Sequence, residues 1–245
     1  MVKVVHQFCF MKTFLFRFCL VLLLAGVFLP SGFAQANAKK IIDYFIEAAL
    51  GSEFNNSHQR IKKWRKDIHY YVIGKPHPEY EAELRRVIDE LHALTGLTFT
   101  EAKRKRDANL LIVFGSADTY VKIEPQAKKY TDKNWGLFFT RWNGLGEIYY
   151  ATMYVDVFRA KGNQVKHLIR EELTQLLGLM RDSYRYKKSI FYQGWTTYTD
   201  YAPIDKILIR LLYHPDMPMN ADEATAREAA ARILKEMDLE ENLFE

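Results

Sequence analysis

Val165-Lys166-His167-Leu168-Ile169-Arg170-Glu171-Glu172-Leu173-Thr174-Gln175-Leu176-Leu177-Gly178-Leu179 reads as an amphipathic helix that stops at a glycine. Val165, Leu168, Ile169, Leu176 and Leu177 keep the three-and-four spacing of a buried face. Gly178 stands where a C-terminal cap belongs, and apolar Leu179 follows it. Glu172 interrupts the apolar face. It lies three beyond Ile169 and four before Leu176, so it points toward the same interior. His167, Glu171 and Gln175 recur at intervals of four and line the adjoining flank. A solvated helix would carry its charges on the opposite side, so polar groups beside the core mark this helix as the candidate site. Glu172 has a structural reading, as a carboxylate satisfied by an arginine or by backbone N–H groups, and a functional one. His167 reads as a surface histidine at the helix start.

Outward from that helix, the chain alternates strands and helices. Residues 40–63 look helical: Ile41, Ile42, Phe45, Ile46 and Leu50 form a stripe before Gly51, and a second helical piece runs from Ser57 to Lys63. The main domain starts near Trp64. Residues 68–73 are a β-rich run ended by Gly74 and Pro76, and residues 80–94 carry a helical stripe that stops at Gly96. A short strand is expected over 97–100. Residues 109–114 are almost wholly apolar, which predicts a central strand covered on both faces. Residues 116–134 are polar and irregular, with helical potential over 119–129. Further strands are expected over 136–140 and 148–155. After Gly178 comes a segment rich in Tyr, Lys and Ser. It is followed by helices over 203–213, opened by Pro203 with Asp205 in the first turn, and over 221–237.

The chain has 245 residues, 49% of them hydrophobic and 27% charged, which suits a globular protein with a substantial core. Lys12 and Arg17 precede an apolar run from Phe18 to Pro30, and the small-residue sites Ala34-Gln35-Ala36 and Ala36-Asn37-Ala38 follow. That pattern predicts a secretory signal peptide over 1–36, cleaved to begin the mature chain at Asn37 or Lys39. Both cysteines, Cys9 and Cys19, fall inside it, so no disulfide or thiolate ligand is expected in the mature protein. The expected location is secreted or periplasmic, with no stable membrane span after cleavage. Three of the 35 Lys and Arg residues (Lys3, Lys12, Arg17) belong to the leader, leaving 32 against 30 acids and a net charge of +2. That balance argues against nucleic acid as a partner.

The order of elements resembles the metzincin zinc peptidases, whose signature is H-E-x-x-H-x-x-G-x-x-H/D followed by a turn around a Met. Asp107-Ala108-Asn109-Leu110-Leu111-Ile112-Val113-Phe114 is similar to their central strand, Ser189-Ile190-Phe191-Tyr192 to their Met-turn, and Pro203 to Tyr213 to their closing helix. Arg170-Glu171-Glu172 with Gln175, Gly178-Leu179 and Ser189-Ile190-Phe191-Tyr192 is closer still to a bacterial family of secreted proteins. That family is known only as a domain of unknown function and is read as zincin-like. The resemblance implies an α+β fold, a mixed sheet with an active-site helix and a helical C-terminal part. It divides the chain into the leader (1–36), an N-terminal helical cap (37–63) and a zincin-like domain (64–245).

Carried over position by position, the first zinc histidine falls on Glu171, the general base on Glu172 and the second histidine on Gln175. The glycine is Gly178, the third ligand falls on Arg181 with Asp182 beside it, and the Met of the turn falls on Phe191. Only oxygen ligands remain, which suit zinc poorly. The favoured reading is therefore a degenerate peptidase without a cofactor, acting as a binding or envelope-associated protein for a protein or peptide ligand. A groove lined by Trp135, Trp142, Tyr192 and Trp195 would accord with it. Arg181 is expected to take the charge role of zinc against Glu171 and Glu172. The alternative is an active hydrolase with a divalent metal on Glu171, Gln175 and Asp182, Glu172 as base and Tyr192 as oxyanion donor. A purely structural envelope protein is the third reading.

Overall fold

A computed structural model describes residues 31–51 and 59–237. Most of the expected leader, and the start of the helical piece expected from Ser57, lie outside those residues. The described residues fall into two units that divide between Ala38 and Lys39. Helix α1 spans Ser31–Leu50, and within the second unit it buries Ile41, Tyr44, Phe45, Ala48 and Ala49.

The second unit is α+β, built on a mostly parallel mixed sheet. Its strands are β1 (Lys63–Trp64), β2 (Ile68–Ile73), β3 (Phe99–Glu101), β4 (Leu110–Gly115), β5 (Gly136–Trp142) and β6 (Glu147–Asp156). The order across the sheet is β1-β6-β4-β2-β3, all parallel, and β5 pairs with β6 in the antiparallel sense. Every residue of β4 is buried, as its apolar run requires of a strand with parallel neighbours on both sides. Helix α2 (Pro78–Thr95) connects β2 to β3 and stops where Gly96 turns left-handed. Residues 116–134, polar on average, fold as helix α3 (Ala117–Val121) and a 3₁₀ turn (Pro125–Lys129). They bury Tyr120 and Ala127 against Val113, Leu137 and Tyr154.

The structure corrects one element. Residues 59–62 are not helical, and Lys63, expected to end a helix, instead opens a strand with Trp64, because the two pair with Glu147 and Ile148 of β6. Trp64 is buried there and its indole N–H donates to the carbonyl of Leu176 at 3.0 Å.

Helix α4 (Asn163–Gln175) packs against α2 and the sheet, and α5 (Pro203–Tyr213) and α6 (Glu223–Glu236) complete the unit. Just past the end of α4, the Leu176 carbonyl accepts from the Trp64 indole and the Leu177 carbonyl from the Tyr213 hydroxyl at 2.9 Å. Gly178 has φ +127°, and a Cβ there would lie 2.1 Å from the carbonyl oxygen of Lys62. Only glycine lets the chain turn this tightly out of the helix. Among the described residues, no helix is long and apolar enough to cross a membrane.

Candidate functional site

The polar flank of α4 opens onto a cleft of ≈ 280 Å³ between the helix, the start of β5 and the loop 192–196. Glu171, Glu172, Gln175, Asp182 and Tyr192 all line it, as do His167, Lys133, Trp135 and Trp195. Five of the six site positions read from the sequence therefore meet in one place.

Each arrives there for a local reason. Glu172 is 6% exposed and lies against β5. A Cβ on Gly136 would be 2.3 Å from Glu172 Oε1 and 2.8 Å from Leu168 Cδ2, so this glycine leaves room for the carboxylate. Its backbone is not left-handed; the need is steric. Gln175, 2% exposed, donates its amide N–H to Asp182 Oδ1 across the turn at Gly178. Asp182 is held by a parallel bridge between Ser183 and Tyr192, in which the Ser183 N–H donates to Phe191 at 2.8 Å. The same bridge brings Tyr192 to the cleft, with its ring beside Gly194 and edge-on to Tyr184 at 6.0 Å.

The turn behind Tyr192 rests on a buried carboxylate. Asp205 accepts from the Ser189 hydroxyl, from Ile190 N–H at 3.1 Å and from Ala202 N–H at 2.9 Å, and Tyr44 bonds Ser189 at 2.7 Å. Burial pushes the Asp205 carboxyl up to about 7, against the pull of those donors. Phe191, at the position matching the Met of the turn, is fully buried.

His167 is not the surface residue its place at the helix start suggests. It is 3% exposed, with Nδ1 2.7 Å from the Tyr198 carbonyl and Nε2 3.2 Å from Thr196 Oγ1. Its Nε2 is also 3.4 Å from Glu171 Oε2. Burial holds its pKa below the ordinary imidazole value, assisted by the Arg170 charge and opposed by the Tyr198 carbonyl. The signal was its spacing of four from Glu171; what the sequence lacked was the loop 196–198 that covers it.

Arg181 does not serve the glutamates. It is exposed, its backbone N–H donates to Ala48 at 3.2 Å, and it lines a separate depression with Asp43, Glu47 and Arg227. The turn at Gly178 sends residue 181 toward α1 and residue 182 toward the cleft. The buried cation of the helix is Arg170, fully enclosed and paired with Glu90 at 2.8 Å and Glu83 at 3.2 Å on α2. Trp142 also lies outside the cleft, under the Lys62 ammonium at 4.9 Å.

The donor set for a cation is thus oxygen-rich. Both His167 nitrogens are engaged, and the Gln175 amide faces Asp182. Among the described residues, three imidazole or carboxylate ligand atoms lie within 4.8 Å of one another at His214, Asp216 and Glu236, away from the cleft.

No curated protein matches the chain. A family model described as "Protein of unknown function (DUF2927)" matches residues 38–229, which takes in every strand, α2 to α5 and the whole cleft, and the chain belongs to that family.

Proposed function

We propose that the chain is an exported zincin-like domain whose cleft binds a peptide without a metal. The observation that carries this reading is the hydrogen bond from the Gln175 amide to Asp182. In the resembled peptidases, the corresponding helix and loop are held to each other by zinc. Here a neutral donor meets a carboxylate directly, and the link needs no cation. The antiparallel edge strand β5 beside α4, the glutamate retained at Glu172 and the Ser189–Tyr192 turn support the zincin-like part of the reading. Export rests on the pattern of a charged start, an apolar run and small-residue sites in 1–38.

The test is metal uptake by the full chain after dialysis against Zn²⁺, read by elemental analysis. The wild type is expected to retain far less than one equivalent. Glu171→His with Gln175→His restores two imidazoles one helical turn apart, and with Asp182 they complete a three-ligand zinc set. That double variant is expected to take up one equivalent. A wild type that holds one tight equivalent and cleaves peptides, with cleavage lost in Glu172→Gln, overturns the proposal in favour of an active metallopeptidase.

A further inference from the structure

We propose that Asp205 is a proton-operated latch: protonated, it locks the turn 189–192 and α1 onto α5, and ionised, it releases them. The turn carries Tyr192 into the cleft, so the latch acts on the cleft wall. It needs neither a peptide nor a metal there.

Asp205 has no solvent exposure. Facing it are Tyr44 from α1, Arg170 from α4 and Tyr201 from the segment before α5. Arg170 is the one cation of the three, and its guanidinium is paired with Glu83 and Glu90. A carboxylate taken out of water without a paired cation is strongly disfavoured, and such a group neutralises instead.

The hydrogen bonds do not require the charge. The Ser189 hydroxyl lies between the Asp205 carboxyl and the Tyr44 hydroxyl, and either member of the Tyr44–Ser189 pair can donate. An ionised Asp205 accepts from Ser189, which accepts from Tyr44. A protonated Asp205 donates to Ser189, which donates to Tyr44. Both bonds survive the reversal, and the Ile190 and Ala202 N–H groups reach the other carboxyl oxygen at 3.1 and 2.9 Å in either state. Charge therefore decides between the states. Burial pushes the carboxyl up to about 7, against the pull of its three donors and of Arg170.

The moving parts follow from the packing. Helix α5 is fixed by buried Ile207, Leu208, Leu211 and Leu212. The turn is closed by a bond from the Tyr192 N–H to the Ser189 carbonyl at 3.2 Å, and α1 meets this region through the Tyr44 hydroxyl and an edge-on contact with Tyr186 at 4.9 Å. Displacing the turn and α1 admits water to Asp205 and relieves the ionised state. The closed form has the raised value, so its advantage is full in acid and is lost as pH rises toward about 7.

The experiment is hydrogen exchange of the full chain read by mass spectrometry from pH 5 to pH 9, corrected for the intrinsic pH dependence of exchange. Segments 41–50 and 183–193 are expected to lose protection by at least about tenfold between the two ends. Asp205→Asn supplies an amide whose oxygen accepts and whose N–H donates, as the protonated acid does. It is expected to hold both segments closed across the whole range. Tyr44→Phe should keep the response of 183–193 and diminish that of 41–50. Protection in the wild type that is flat with pH, that rises with pH, or that changes equally in Asp205→Asn overturns the latch. An undiminished response of 41–50 in Tyr44→Phe overturns the part given to α1. ¹³C NMR of aspartate-labelled wild type reads the carboxyl without any substitution. One aspartate titrating near pH 7 is expected, and all aspartates titrating near the ordinary value overturns the proposal.

Discussion

Arg170→Met removes a guanidinium with no solvent exposure. Its Nη1 lies 2.8 Å from Glu90, its Nη2 3.2 Å from Glu83, and its Cζ sits 4.3 Å from the Tyr201 ring centroid. Removing one partner of a buried pair costs about 3–5 kcal/mol, because the other charge is left behind. Two features pull this case toward the low end. Glu83 keeps Arg86, which donates to it at 2.9 and 3.0 Å, and the Glu90 side chain is 33% exposed and stays hydrated. A third feature acts the same way: Arg170 Nε is buried without a hydrogen-bond partner, and methionine abolishes that orphan donor. The expected net loss is about 2–3 kcal/mol. Arg181→Ala, at an exposed position, should change stability by less than about 0.5 kcal/mol. Urea unfolding followed by tryptophan fluorescence measures both, with midpoints compared at constant slope. A larger loss for Arg181→Ala than for Arg170→Met would refute the assignment of Arg170 as the structural cation of α4.

Gly136→Ala places a Cβ 2.3 Å from Glu172 Oε1 and 2.8 Å from Leu168 Cδ2. Overpacking of this kind costs about 1–3 kcal/mol. Glu172→Ala in the same chain should recover part of it, and strictly additive losses in the double-mutant cycle would show that the two residues do not share the space. Asp205 is raised from an ordinary 3.8 to about 7, so between those values the folded chain holds a proton that the unfolded chain has released. Its contribution to stability therefore falls as pH rises from about 4 to about 7, by at most about 4 kcal/mol at 1.36 kcal/mol per pKa unit, and is flat above that range. His167, depressed by burial, acts in the opposite sense, losing stability as pH falls below the ordinary imidazole value. The difference between wild type and Asp205→Asn isolates the carboxyl. Parallel stability–pH curves for the two proteins would count against it.

Much of the fold was legible because local chemistry and burial agree. The run 109–114 predicted a central strand, and β4 is central with each residue buried. Pro203 and the apolar spacing after it marked α5 to the residue. Lys63, expected to end a helix, misled because a two-residue strand has no period of its own; it exists only through pairing with β6, distant in sequence. The site was legible as a set and misread in its charges. Helical spacing put Glu171, Glu172 and Gln175 beside the core, and they do share a cleft with Asp182 and Tyr192. Spacing says nothing about which neighbour lies across the gap, so it could not separate Arg170 from Arg181.

That separation follows from helix geometry once the neighbours are known. Successive residues on a helix are turned by about 100°. Arg170, Glu171 and Glu172 therefore point in three directions, and the structure gives each its own surroundings. Arg170 faces α2 and its glutamates, Glu171 stands beside His167, and Glu172 fits the space left by Gly136 on β5. Arg170 ties the helix to α2, so neither cleft glutamate is needed to pair with it. The hydrogen bond between Gln175 and Asp182 in turn ties the helix to the loop after it. On the metal-free reading proposed above, those two attachments hold the helix without a bound cation. Metal removal should therefore leave the unfolding midpoint unchanged, whereas Arg170→Met should lower it.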